Sequence, residues 1–153
     1  MKVMPKRDYS EPDYRILFER LPALCLVLDA SFTIIAQNDA HGRATHTRRE
    51  DVVGHHVFEV FPDNPNEISA EGLDTLRASL LRVLKTKGPD RMRRLKYDIE
   101  KRSPGAAGYE ERYWDVVNIP ILGDDGYVKW ILNTASDVTE VVKREGPAKH
   151  EKP

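Results

Sequence analysis

A chain of 153 residues fits one domain with room for short tails, and 24 Lys and Arg against 25 Asp and Glu leave a formal net charge of −1. That balance argues against general attraction to nucleic acid or to an anionic membrane. With 40% apolar and 32% charged residues the composition is that of a globular protein, and the single cysteine, Cys25, excludes an internal disulfide and points to a reducing compartment.

Residues 1–9 are polar and are expected to form a loose tail, with no apolar core of the kind a secretory signal needs. No stretch approaches the ~20 apolar residues that cross a bilayer, so a cytoplasmic location is expected. Residues 10–21, "SEPDYRILFERL", predict an amphipathic helix. Ser10 is placed to cap it, and Tyr14, Leu17, Phe18 and Leu21 share one face. "ALCLVLD" predicts a buried strand and "FTIIAQN" its hairpin partner, after which Asn38 can cap a short helix. The segment from Thr47 to Pro65 is broken by Gly54, Pro62 and Pro65 and predicts short helical turns and loop. A longer helix follows, with Leu73, Leu76, Leu80, Val83 and Leu84 as its apolar stripe and Gly88-Pro89 as its stop. Three strand signals close the chain: "RLKYDIEK", "YEERYWDVVNIPIL" with Pro120 suited to an edge or bulge, and "YVKWILNTAS" after the turn "GDDG". Five strands with helices gathered mid-chain predict an α+β layer: one antiparallel sheet with helices on one face.

That order, with "LPALCLVLDASFTIIAQN", "EDVVGHHVFEVFP" and "NIPILGDDGYVKWILNTASDVTE", resembles the PAS domain family over roughly Leu17 to Lys143. The resemblance implies a domain over residues 22–139, a five-stranded antiparallel sheet of order 2-1-5-4-3, and a small-molecule pocket between sheet and helices. It further implies service in bacterial sensor kinases and related signalling proteins, often as dimers. The family's last strand often ends in Asp-x-Thr, which Asp137-Val138-Thr139 matches; there Thr139 or Asp137 would cap a connector helix beginning at residue 140, and both would act in signal transmission. Val138, Val141 and Val142 would begin its apolar seam, which Gly146-Pro147 interrupts. Such a chain is either a stand-alone module or a fragment of a longer sensor.

Periodicity does not separate the two faces of the last strands. The family register, counted from Pro120 and Asp137, places Trp114, Val116, Asn118, Ile131, Asn133 and Ala135 inward, and these with Tyr97 are the pocket candidates. Asn118 and Asn133 are then either ligand anchors or amides that satisfy each other. Val117, Ile119, Trp130 and Leu132 fall on the outer face, where an apolar surface needs a cover. The helix carrying Tyr14, Leu17, Phe18 and Leu21 is the expected cover, alone or with a partner subunit, so a homodimer is expected.

The cofactor is left unknown. A haem resemblance would want an axial His, commonly on the long helix, and residues 70–88 contain none. A light-sensing flavin adduct would want a Cys in the middle helices, whereas Cys25 lies in the first strand; haem with an axial His and a covalent flavin are therefore not expected. Adjacent His55 and His56 are poorly placed to share a metal, and no metal site is expected. The basic clusters "HTRRED" and "DRMRRLK" are expected to be solvated faces. No catalytic constellation or phosphate loop stands out, so no catalytic residue is assigned and a non-enzymatic role is expected. The expected role is a sensory or regulatory module of bacterial two-component signalling that binds a small ligand or partner and biases an output such as a histidine kinase. The alternative is a ligand-free dimerisation or protein-interaction module.

Overall fold

The computed structural model describes residues 2–147. Helix α1 spans Tyr14–Arg20 and starts later than the sequence predicts. Its cap is Asp13 rather than Ser10, because the Asp13 carboxylate accepts from the amides of Arg15 and Ile16. Strands β1 (Leu24–Asp29) and β2 (Ile34–Gln37) form the first hairpin. Asp29 builds its turn: Oδ1 accepts from the amides of Ser31 and Thr33, at 2.9 and 3.0 Å, and thereby holds Phe32 at φ 66°.

Asn38 caps α2 (Asp39–Thr45), and the short helices α3 (Arg49–Val52) and α4 (Val57–Val60) follow. Helix α5 (Gly72–Thr86) buries Leu76, Leu80 and Val83. Its left-handed terminus falls on Lys87, φ 57°, one residue before the Gly88 expected to end it.

The sheet has the order β2-β1-β7-β6-β3, with β3 Asp90–Lys96, β6 Tyr113–Leu122 and β7 Val128–Asp137. Every neighbouring pair is antiparallel. This is the order expected from the family resemblance. Two corrections concern the third strand signal and its partner. Pairing shifts between Met92 and Leu95 because Arg94 takes φ 49° and forms a bulge. The strand signal also breaks at Tyr97-Asp98, so Ile99–Glu100 (β4) pairs with Tyr109–Glu110 (β5) in a separate ribbon. Pro120 lies beyond the end of β3, whose last partner on β6 is Asn118, so the proline interrupts no ladder bond there.

The core lies between the sheet and helices α2 to α5, around Leu26, Leu28, Ile34, Leu80, Val83, Trp114 and Ile131. The last helix, α6 (Thr139–Glu145), leaves β7 directly and buries Val142 against the domain. Val138 and Val141 are half-buried, so the expected apolar seam is partly used within the protein. Helix α1 corrects another expectation, because it does not bury its apolar face. Tyr14 is 67% and Leu17 52% exposed, Leu21 is exposed, and Phe18, half-buried, lines a surface groove with Ile35 and Val53 near β2.

Candidate functional site

The inner face of the sheet and the surrounding helices enclose a cavity of about 70 Å³, lined mainly by apolar side chains. Alternation on β1 sends Leu24, Leu26 and Leu28 to it, and β6 and β7 contribute Trp114, Val116, Asn133 and Ala135. Phe61 and Leu76 close the helical side, and Tyr97 enters from the break after β3. Among the pocket candidates read from the sequence, the structure therefore brings together Tyr97, Trp114, Val116, Asn133 and Ala135. It leaves Asn118 and Ile131 on the inner face but inside the packed core, each fully buried and not lining the cavity.

The two amides engage each other. Asn133 Nδ2 donates to Asn118 Oδ1 at 2.7 Å, and Asn118 Nδ2 donates to Ser79 Oγ at 3.0 Å. Ser79 in turn donates to Asp90 at 2.5 Å, and Arg82 holds the same carboxylate at 2.9 Å, keeping it below the usual carboxylate range. A continuous polar chain thus runs from the half-exposed Arg82–Asp90 pair to the cavity wall.

Sequence reasoning missed His41 and Thr45. Both stand on α2 and line the cavity, and His41 is 6% exposed. Burial pushes its pKa down to about 4, so the imidazole is neutral at pH 7. The usable signal was its place three residues after the cap Asn38, which sets it on the inner face of α2. Tyr97 donates its hydroxyl to the Phe61 carbonyl, and burial raises its pKa.

The volume limits what the cavity takes. About 70 Å³ is room for on the order of five water-sized atoms, well short of a haem or flavin ring system. The donor set agrees: Gln37 Nε2 donates to His41 Nδ1 at 3.0 Å, which leaves the proton on Nε2 and no free lone pair there for iron. Cys25 lies on β1 between cavity-lining neighbours and faces the other way. His56 caps α4 through the Phe58 amide while His55 is exposed, and among the described residues no cluster of metal-ligating side chains occurs.

At the chain's exit from the sheet, Asp137 Oδ1 accepts from the Thr139 amide at 2.9 Å and from its hydroxyl at 2.5 Å. Thr139 Oγ1 accepts from the Tyr113 amide at 3.0 Å. Of the two candidate caps only Asp137 takes an amide of the first helical turn, while buried Thr139 ties the start of α6 back to β6. Arg94, at the β3 bulge, clasps the other end of α6 through Glu145 at 2.7 Å and the Gly146 carbonyl at 2.8 Å. On the outer face Trp130 is 38% exposed under the Lys129 ammonium, and Leu132 is half-buried.

An antiparallel sheet of this order, with helices gathered over an inner cavity, defines a PAS-type domain. The family model described as the PAS fold matches residues 18–143, and the chain belongs to that family. A PAS domain from Colwellia psychrerythraea superposes with a TM-score of 0.63 at 12% identity, covering 83% of this chain and 95% of its own. A sensory box sensor histidine kinase from Vibrio cholerae gives 0.56 at 19% identity, covering 82% and 89%. The PAS domain of nitrogen regulation protein NR(II) from Vibrio parahaemolyticus gives 0.60 at 12% identity, covering 83% and 99%. No curated protein matches the chain significantly. Among the described residues no helix is long and apolar enough to cross a membrane.

Proposed function

We propose that this chain is a non-catalytic sensory module of bacterial signal transduction, in which a small molecule in the inner cavity biases the connector helix α6. One observation carries this reading: β7 lines the cavity with Asn133 and Ala135 and, two residues later, supplies Asp137 to the joint with α6. A change in how the cavity is filled therefore acts on the strand from which the helix departs. A ligand shifts such an element only through different affinity for its two positions. The output is a histidine kinase or a similar signalling domain, in keeping with the sensor kinases of similar fold, and the setting is the cytoplasm. Exposed Tyr14, Leu17 and Leu21 on α1 favour a homodimer, and if the cavity stays empty, association through this face becomes the main role.

Native mass spectrometry before and after denaturation, with a thermal-shift screen over neutral metabolites, tests the reading. A small mass lost on denaturation, or a stabilising hit that also perturbs the amide signals of Thr139 and Val142, supports it. A clean apo mass together with no thermal shift across the panel would falsify it.

A further inference from the structure

The polar groups of the cavity wall are few enough to be taken one by one. The Tyr97 hydroxyl is given to the Phe61 carbonyl, the Trp114 indole N–H to the Tyr97 carbonyl at 2.8 Å, and the Thr45 hydroxyl to the His41 carbonyl at 2.8 Å. Two atoms are left over. His41 Nε2 and Asn133 Oδ1 have no partner among the described residues, although the residues are only 6% and 8% exposed. No wholly enclosed side-chain nitrogen or oxygen among the described residues lacks a partner. These two atoms therefore reach open space, and the space both residues line is the cavity.

Which of them donates is settled by groups outside the cavity. A carboxylate only accepts, so Asp90 makes Ser79 its donor. Ser79 then has only lone pairs to offer, which turns Asn118 Nδ2 toward it. Asn118 Oδ1 faces the other way and takes the Asn133 Nδ2 proton, and Asn133 is left showing its carbonyl oxygen to the cavity. On the opposite wall, the Gln37 amide donates to Nδ1 of His41, so this side chain shows an N–H.

We propose that the cavity selects a small uncharged ligand carrying a hydrogen-bond donor for Asn133 Oδ1 and an acceptor for His41 Nε2–H, a compact amide or lactam being the simplest such class. This deepens, and rests on, the reading of the cavity as a ligand site. Anions and cations are disfavoured, because a neutral imidazole and an amide offer no countercharge to a group stripped of water. The acceptor on the Asn133 side is set by Asp90, so ligand choice is open to change at a residue that does not touch the ligand.

The test uses three size-matched probes of four heavy atoms, which the cavity has room for, on the wild-type protein: acetamide, with donor and acceptor; acetone, with acceptor alone; and isobutene, with neither. Binding is followed by NMR through the Trp114 indole and Asn133 side-chain amide signals. Acetamide is expected to bind about tenfold more tightly than acetone, the effect of one well-placed hydrogen bond, and more tightly again than isobutene. Asp90→Asn, half-exposed and outside the cavity, is expected to remove most of that preference because it releases the polarity of the chain. Acetone or isobutene binding as tightly as acetamide overturns the ligand class while leaving the cavity a ligand site. An Asp90→Asn variant that keeps the full preference overturns the remote control. If no probe perturbs either signal, the site reading falls as well. Should Asp90→Asn fold poorly, the wild-type series alone decides the ligand class.

Discussion

His41 shows how one buried side chain makes stability depend on pH. Its pKa is about 4 in the folded protein against 6.5 for a free imidazole, so the folded state holds fewer protons between those values. The stability is complete above pH 6.5 and is lost as pH falls toward 4, over which the unfolding free energy should drop by on the order of 3 kcal/mol. Urea unfolding at pH 7.0, 5.5 and 4.5 checks this. His41→Leu should flatten the slope in that window; the same slope in both proteins would assign it elsewhere. Ser79 is a second point of leverage at this scale. Ser79→Ala leaves the Asn118 Nδ2 group buried without its acceptor and should cost about 1–3 kcal/mol, measured at neutral pH. The inward set from Trp114 to Ala135 was open to counting only through the family register, anchored at Pro120 on β6 and at Asp137 on β7; strict alternation of strand side chains then orients the rest. For His41 only the position was open, three residues after the cap Asn38; its role was not, because a lone His on a short helix gains meaning only from the walls opposite it. The choice between ligand anchors and mutually satisfied amides was also closed to the sequence, since it turns on Ser79 and Asp90, which come from α5 and the start of β3.

Elements of this chain are tied at their ends more than along their lengths. The N-terminus of α5 is one such tie: a Cβ on Gly72 would lie 2.7 Å from the Lys96 carbonyl and 2.9 Å from the Tyr97 ring. Gly72→Ala should therefore push α5 away from the β3–Tyr97 corner and lower stability by about 1–3 kcal/mol by chemical denaturation, although Ala is the better helix former. A gain in stability would show that the corner yields freely. The start of α6 is the other tie. Thr139→Val removes the acceptor of the Tyr113 amide, and with Asp137→Ala it also frees the first amide of the helix. The domain should stay folded by circular dichroism while amide exchange in α6 accelerates by tenfold or more. Unchanged protection of Val142 would mean that Arg94 alone holds the helix. These ends are also where sequence and structure part. A run such as "RLKYDIEK" keeps its period of two through Tyr97, yet Arg94 adopts a left-handed backbone that no local signal announces, and the strand breaks. What holds Arg94 there is distant in sequence: its amide donates to Asp115 at 2.8 Å, and its guanidinium reaches α6.

At the scale of the whole molecule, the fold was legible because several weak signals agreed: an early and a late turn-linked hairpin, with the short helices and the long amphipathic helix gathered between them. The packing of α1 was not legible, since an apolar stripe says that a helix needs a partner without saying which. The sequence pairs the stripe with the outer sheet, whereas α1 packs mainly against α2. Glu19 approaches Arg49 at 3.8 Å, and no α1 residue is fully buried. The outer sheet keeps Trp130 and Ile121 exposed, so two separate apolar surfaces are offered to a partner. They make different predictions on removal. Deleting residues 1–20 should cost little stability, because the domain core holds no α1 residue, and the leading backbone contact of Asn38 Nδ2 is with Ala23, at 2.6 Å. If α1 is the association element, sedimentation velocity should then show a dimer become a monomer, with the Trp130 fluorescence maximum unchanged. If the outer sheet is the association element, the truncated protein stays dimeric, and Trp130→Lys in the full chain dissociates it instead. A protein that is monomeric from the outset, across micromolar concentrations, would exclude both surfaces as homodimer contacts and leave them for the output domain.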